Sequence, residues 1–151
     1  MPQTGGPARP FLGPRSTAAA WSSDGTRTVF FSDTPGDPLS LADRTGSNAQ
    51  PLEIKASDPP VPPDEVHNHN PIWSLDGEWI YFVRGVARAL NWTDELDIWR
   101  VRPSGASPER LTQQRTATAF LAPIDDRTLL YTALFCREVL GHRGSVPGWL
   151  S

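Results

Sequence analysis

Apolar and polar positions alternate along the chain in short bursts separated by turn residues, and the bursts recur. Residues 20–32 read AWSSDGTRTVFFS and residues 72–84 read IWSLDGEWIYFVR. Each begins with Trp-Ser-x-Asp-Gly and continues into an apolar, aromatic run. Asp-Gly between two β-rich runs predicts a hairpin, because glycine takes positive φ freely and aspartate bonds the turn backbone. The pairs are Asp24-Gly25 and Asp76-Gly77, and the tryptophans ahead of them, Trp21 and Trp73, stand 52 residues apart. A degraded third copy lies at 121–133, LAPIDDRTLLYTA, with Ala122 in place of the tryptophan, Asp125 retained, and Asp126 in place of the glycine. The second run of each copy (Val29-Phe30-Phe31, Tyr81-Phe82-Val83, Leu130-Tyr131-Thr132) suits a pleated, buried surface.

The repeat extends beyond the hairpin. Leu39-Ser40-Leu41-Ala42 precedes a turn at Thr45-Gly46, with Leu52 six residues after the glycine. Ile98-Trp99-Arg100-Val101 precedes Ser104-Gly105, with Leu111 at the same spacing. Each reads as a third strand, a tight turn and a fourth strand. Four short antiparallel strands in about 50 residues, repeated in tandem, predict β-propeller blades. The fold class is therefore all-β, an incomplete β-propeller of about two and a half four-stranded antiparallel blades. The expected organisation is the last hairpin of a preceding blade at 1–15, a blade at 16–54, a proline-rich linker at 55–66, a second blade at 67–113 and a partial, degraded blade at 114–151. A closed propeller needs every blade to bury its faces against two neighbours, which about two and a half blades do not provide, so the chain of 151 residues is expected to be a fragment of a larger protein.

These motifs resemble the TolB-type, WD-repeat-like propeller repeat, whose pattern runs roughly P-x-W-S-P-D-G-x-x-I-x-F, D-I-W-x-x-x-x-x-G, P-x-x-L-T. Pro71, Trp73, Ser74, Asp76, Gly77, Ile80 and Phe82 match the first part. Asp97, Ile98, Trp99 and Gly105 match the second, and Pro108, Leu111 and Thr112 the third. Leu75 and Ser23 depart from the usual proline. The resemblance implies a propeller, usually six-bladed, with a non-enzymatic binding or scaffold role. Such repeats occur in bacterial regulatory and sensor proteins. They also resemble the propeller half of prolyl-oligopeptidase-type serine peptidases, which makes an accessory propeller without its catalytic domain the alternative.

Composition narrows the partners. Proline and glycine, 16 and 12 residues, disfavour a helical bundle, and six Trp with six Phe argue against disorder. A net charge of −3 gives no electrostatic reason to expect nucleic acid. The N-terminal residues contain no apolar signal core, and no run reaches the roughly 18 apolar residues of a membrane span. The expectation is a cytoplasmic protein, or a periplasmic one if the true N-terminus is missing, with an unidentified protein or small-ligand partner. Exposed blade faces are expected to self-associate.

Candidate chemistry is sparse. Trp21, Trp73, Trp99, Asp24, Asp76, Asp97 and Asp125 read as structural repeat positions. His67-Asn68-His69-Asn70 is the most metal-like string, since alternation on a strand puts His67 and His69 on one face. A site there would need carboxylates such as Asp64 or Glu65, and the expectation is no metal and no cofactor. Trp92, Asp94 and Glu95 fall in a long loop spanning 85–97, the expected binding loop, together with the 55–70 segment. No catalytic residue is predicted. Gly141-His142-Arg143-Gly144-Ser145 lacks the G-x-S-x-G pattern, and Cys136 has no activating neighbours in sequence.

Overall fold

A computed structural model of the chain describes residues 10–86, 95–125 and 127–134. The described residues are all-β apart from one 3-10 turn at Pro63–Glu65. Strands β1 (Ser16–Trp21), β2 (Arg27–Ser32), β3 (Leu39–Asp43) and β4 (Gln50–Pro51) form one antiparallel sheet in chain order. Strands β5 (Val66–Trp73), β6 (Ile80–Val86), β7 (Glu95–Val101) and β8 (Glu109–Arg110) form a second with the same order. Strands β9 (Ala117–Pro123) and β10 (Leu129–Leu134) pair as a hairpin.

The hairpin turns follow from local chemistry. In the first, the Ser22 hydroxyl donates to Asp24 Oδ1 at 2.6 Å and accepts the Arg27 N–H at 3.0 Å. Asp24 Oδ1 also accepts the Thr26 N–H, and Gly25 sits at φ 66°. In the second, Ser74 donates to Asp76 at 2.5 Å, Trp79 N–H donates to Ser74, Glu78 N–H donates to Asp76, and Gly77 lies at φ 73°. The third hairpin keeps the Asp125 bond from the Arg127 N–H at 2.7 Å, while Pro123 stands where the other two have serine. Asp126 lies outside the described residues.

A second repeated device is a β-bulge in the first strand of each unit. Thr17 faces Phe31 and Ala20 faces Val29, so two residues of β1 oppose one of β2. The same surplus occurs between His69 and Ile72 in β5, and one extra residue stands between Ala119 and Leu121 in β9. Ala18, Asn70 and Phe120 at these places take φ of 49°, 48° and 44°. Bulges bend a strand and increase its local twist.

The sheets pack face to face. Val29, Phe31 and Leu39 of the first sheet, with Leu52, meet Trp73, Ile80, Phe82, Trp99 and Val101 of the second in one buried cluster. Val83, Leu96 and Ile98 turn to the opposite face and pack with Leu121 of β9. Gly105 makes room for the chain approaching the second sheet, since a Cβ there would run into the Glu53 carbonyl oxygen. Gly46 makes the same allowance for the Phe11 carbonyl ahead of the first sheet.

Two sequence expectations change. The 85–97 loop is shorter than its composition suggests, because Val86 pairs with Glu95, Gly85 with Leu96 and Arg84 with Asp97. Glu95 and Asp97 are thus strand residues, while Trp92 and Asp94 lie outside the described residues. The fourth strands contain only two residues each, although backbone bonds Leu52 N–H to Leu39 O and Leu111 N–H to Ile98 O, both 2.8 Å, carry the alignment one step further.

Candidate functional site

Antiparallel order sorts the connections to two ends of the sheets. The β1–β2, β3–β4, β5–β6 and β7–β8 turns emerge at one end, and the β2–β3 and β4–β5 connections at the other. The repeat aspartates Asp24, Asp76 and Asp125 occupy the first end, with their oxygens engaged by their own turns. The less regular chemistry gathers at the second.

There the β4–β5 connection, rich in proline, folds over the end of the first sheet. It walls a half-open cavity of about 530 Å³ whose lining includes Gly36, Leu39, Ile54, Val61, Asn68 and Arg84. Asn68 and Arg84 are ladder partners and so share a face of the second sheet. Arg84 Nη1 donates to Asn68 Oδ1 at 2.8 Å, its Nε donates to the Asp58 carbonyl at 3.2 Å, and Asn68 Nδ2 donates to the Gly36 carbonyl at 2.9 Å. Burial pushes the Arg84 guanidinium below its ordinary value, and Asp58 acts in the opposite direction. Among the described residues, no carboxylate oxygen lies within 4.0 Å of Arg84.

His67 and His69 project from the other side of β5. Their rings lie parallel, with centroids 5.5 Å apart, and both meet Asp37 from the β2–β3 connection. His67 Nδ1 stands 2.5 Å from Asp37 Oδ2, and His69 Nε2 stands 3.4 Å from the same oxygen. The edge of Phe31 backs His69 at 5.1 Å. Asp37 is buried and held at φ 39° between Gly36 and Pro38. Sequence reading pointed to Asp64 and Glu65 as partners for the histidines; the carboxylate on the pair is Asp37. It lies 30 positions away, and no local pattern links it to them.

Asp97 forms the densest polar knot. Its carboxylate accepts from Arg110 Nη2 at 2.6 Å, from the Thr112 hydroxyl at 2.7 Å and from the Gln114 N–H at 2.7 Å. Arg110 also reaches Asp58 at 2.6 Å, and Thr112 Oγ1 accepts the Ile98 N–H at 3.0 Å. The aspartate at the start of β7 therefore ties down the chain that leaves β8. A fully engaged, 2% exposed carboxylate is a structural anchor.

The tryptophans separate. Trp73 is 4% exposed and donates its indole N–H to the Ala20 carbonyl of the first sheet at 3.2 Å, beneath the Arg27 guanidinium. Trp99 is buried in the same cluster. Trp21 is 49% exposed and leans on Phe11, ring centroids 5.1 Å apart.

Four-stranded antiparallel sheets stacked through apolar faces define the chain as part of a β-propeller. Its fold is of the TolB type, in partial form: it matches a solved structure of TolB from Agrobacterium tumefaciens with a TM-score of 0.61 and 25% identity, covering 87% of this chain and 42% of that one. A TolB structure from Acinetobacter baumannii matches with a TM-score of 0.42 and 18% identity, over 63% of this chain and 20% of the other. An uncharacterized protein of Agrobacterium fabrum is 32% identical over 78 residues, 52% of this chain and 25% of that protein. No family model matches the sequence. The chain thus spans about a quarter of its curated relative and less than half of the Agrobacterium TolB structure. Among the described residues, no helix is long and apolar enough to cross a membrane.

Proposed function

We propose that the chain is a non-enzymatic binding module of a larger β-propeller protein, engaging a protein or small-ligand partner at the end where the β2–β3 and β4–β5 connections emerge. The observation that carries this reading is the cavity of about 530 Å³ over the sheet ends, with the buried Arg84 in its wall. Connections held over rigid sheets are where recognition concentrates. Proline restricts the free connection, so ordering it on binding costs less entropy. The Arg84 guanidinium makes no direct ion pair among the described residues and feels Asp58 only at longer range, which favours an anionic group on whatever enters. Phe120, Ile124 and Leu130, all exposed, supply an apolar surface on the third unit for self-association. The module is assigned to the cytoplasm, or to the periplasm where a leader precedes it.

Site-specific photo-crosslinking tests the reading. A benzoylphenylalanine at Ser57, on the cavity wall, is expected to trap a discrete partner in living cells. The same group at Thr26, in the hairpin at the opposite end, is expected to trap none. Equal labelling from both positions would remove the support for a recognition end.

A further inference from the structure

We infer that Asp37, His67 and His69 form a binding site for a borderline transition-metal ion of the zinc class, bridging the first two sheets. The three side chains offer one carboxylate oxygen and two imidazole nitrogens, all within 4.8 Å of one another. Two imidazoles with one carboxylate suit Zn²⁺, whereas Ca²⁺ and Mg²⁺ seek six or more oxygens. This proposal does not depend on the cavity reading, because the histidines lie on the opposite side of β5 from Asn68.

The geometry specifies what binding must change. Tetrahedral zinc with bonds near 2.0–2.1 Å holds its ligand atoms roughly 3.4 Å apart. The His69 Nε2 to Asp37 Oδ2 separation of 3.4 Å already has that value. The His67 Nδ1 to Asp37 Oδ2 distance of 2.5 Å is a hydrogen bond. Zn²⁺ must displace the proton shared there and widen the gap by roughly 0.9 Å. The near-parallel rings must also tilt, since in-plane lone pairs of parallel imidazoles do not converge. Both histidine side chains are about a third exposed, 32% and 30%, which leaves room for that rotation. Asp37 is the fixed member, buried and braced between Gly36 and Pro38. The fourth position is left for water or a donor from a partner. Because Asp37 belongs to the first sheet's connection and the histidines to the second sheet, the ion would clamp one sheet to the next.

The test uses the full chain, stripped with EDTA and titrated with ZnSO₄ alone. Calorimetry is expected to give one Zn²⁺ per chain, with a thermal midpoint that climbs with free zinc. His69→Gln and Asp37→Asn are each expected to weaken binding at least as much as loss of an outer-sphere partner does, roughly 10–100-fold. Asp64→Asn is expected to leave it unchanged. Imidazole NMR of the unmutated chain provides a readout independent of variant folding: zinc should shift the His67 and His69 resonances. Absence of zinc binding by the folded chain, unshifted His67 and His69 resonances, or equal affinity in well-folded ligand variants would each overturn the site.

Discussion

The first and second sheets share one plan and differ in how each repeat position is used. Trp73 lies sealed between two sheets and donates its indole N–H, while Trp21 at the equivalent place is half exposed against Phe11. Ile80 fills a core position in the second sheet; its counterpart in the first is Thr28, fully buried with a hydroxyl that finds no hydrogen-bond partner among the described residues. The second sheet anchors the start of β7 through Asp97 and its own β8 exit. The first has Pro38 directly before Leu39, and its aspartate, Asp37, sits one position earlier and reaches the neighbouring sheet instead. A repeat motif therefore specifies a backbone plan, while the environment decides whether a given residue seals, anchors or connects.

Substitutions at paired positions sharpen this contrast. Trp73→Ala is expected to cost about 4 kcal/mol in urea denaturation, and Trp21→Ala about 1–2 kcal/mol, because only the former empties a closed site. Equal costs would mean that the two tryptophans have the same surroundings. Asp97→Ala removes the acceptor of the Thr112 hydroxyl and the Gln114 N–H and one of the two carboxylates on Arg110, and is expected to cost about 3 kcal/mol. Asp37→Ala in metal-free protein loses mainly the bond to a part-exposed histidine and should cost about 1 kcal/mol. Thr28→Val is expected to stabilise by about 1 kcal/mol, since it removes an unsatisfied hydroxyl at nearly constant volume. A destabilised Thr28→Val chain would show that the hydroxyl is satisfied in solution.

The smallest effect concerns acid. Hydrogen bonds from the Ser22 hydroxyl, then from the Thr26 N–H, hold Asp24 down from the ordinary 3.8 to about 2. Asp76 is lowered by the Ser74 hydroxyl first and the Glu78 N–H second. Asp125 is lowered chiefly by the Arg127 N–H. A lowered carboxyl value favours the folded state above the unfolded value and loses that contribution as pH falls through the folded one. For Asp24 the loss runs from just below pH 4 to about 2. Titration by NMR should show the two serine-backed aspartates protonating at lower pH than an exposed reference carboxyl. Asp24→Asn should flatten part of the acid limb of the melting curve. An unchanged acid limb would show that these turns open before their carboxylates titrate.

The hairpins were legible in the sequence because Trp-Ser-x-Asp-Gly encodes its turn within five residues. The stacked four-stranded sheets followed from the recurrence of that unit. The strand ends around 85–97 were less legible, since Arg84-Gly85 and Glu95 carry no apolar alternation and owe their pairing to the ladder already formed at Phe82 and Trp99. The bulges were invisible because Ala18, Asn70 and Phe120 are not the glycines that positive φ ordinarily announces. The site was half legible. Alternation placed His67 and His69 together, but Asp37 joins them only through the packing of separate sheets, which no local pattern records.

The repeated bulge has a consequence for how one strand can serve two masters. A single inserted residue reverses the side-chain parity of everything beyond it. In β5, the stretch before Asn70 thus keeps one reading frame, with His67 and His69 on one side and Asn68 on the other. The stretch after it keeps a second, which delivers Trp73 to the core. The strand is two joined segments whose side chains face by opposite parity. The half before the bulge carries the polar contacts to the β2–β3 connection, and the half after it carries the apolar seal between the sheets.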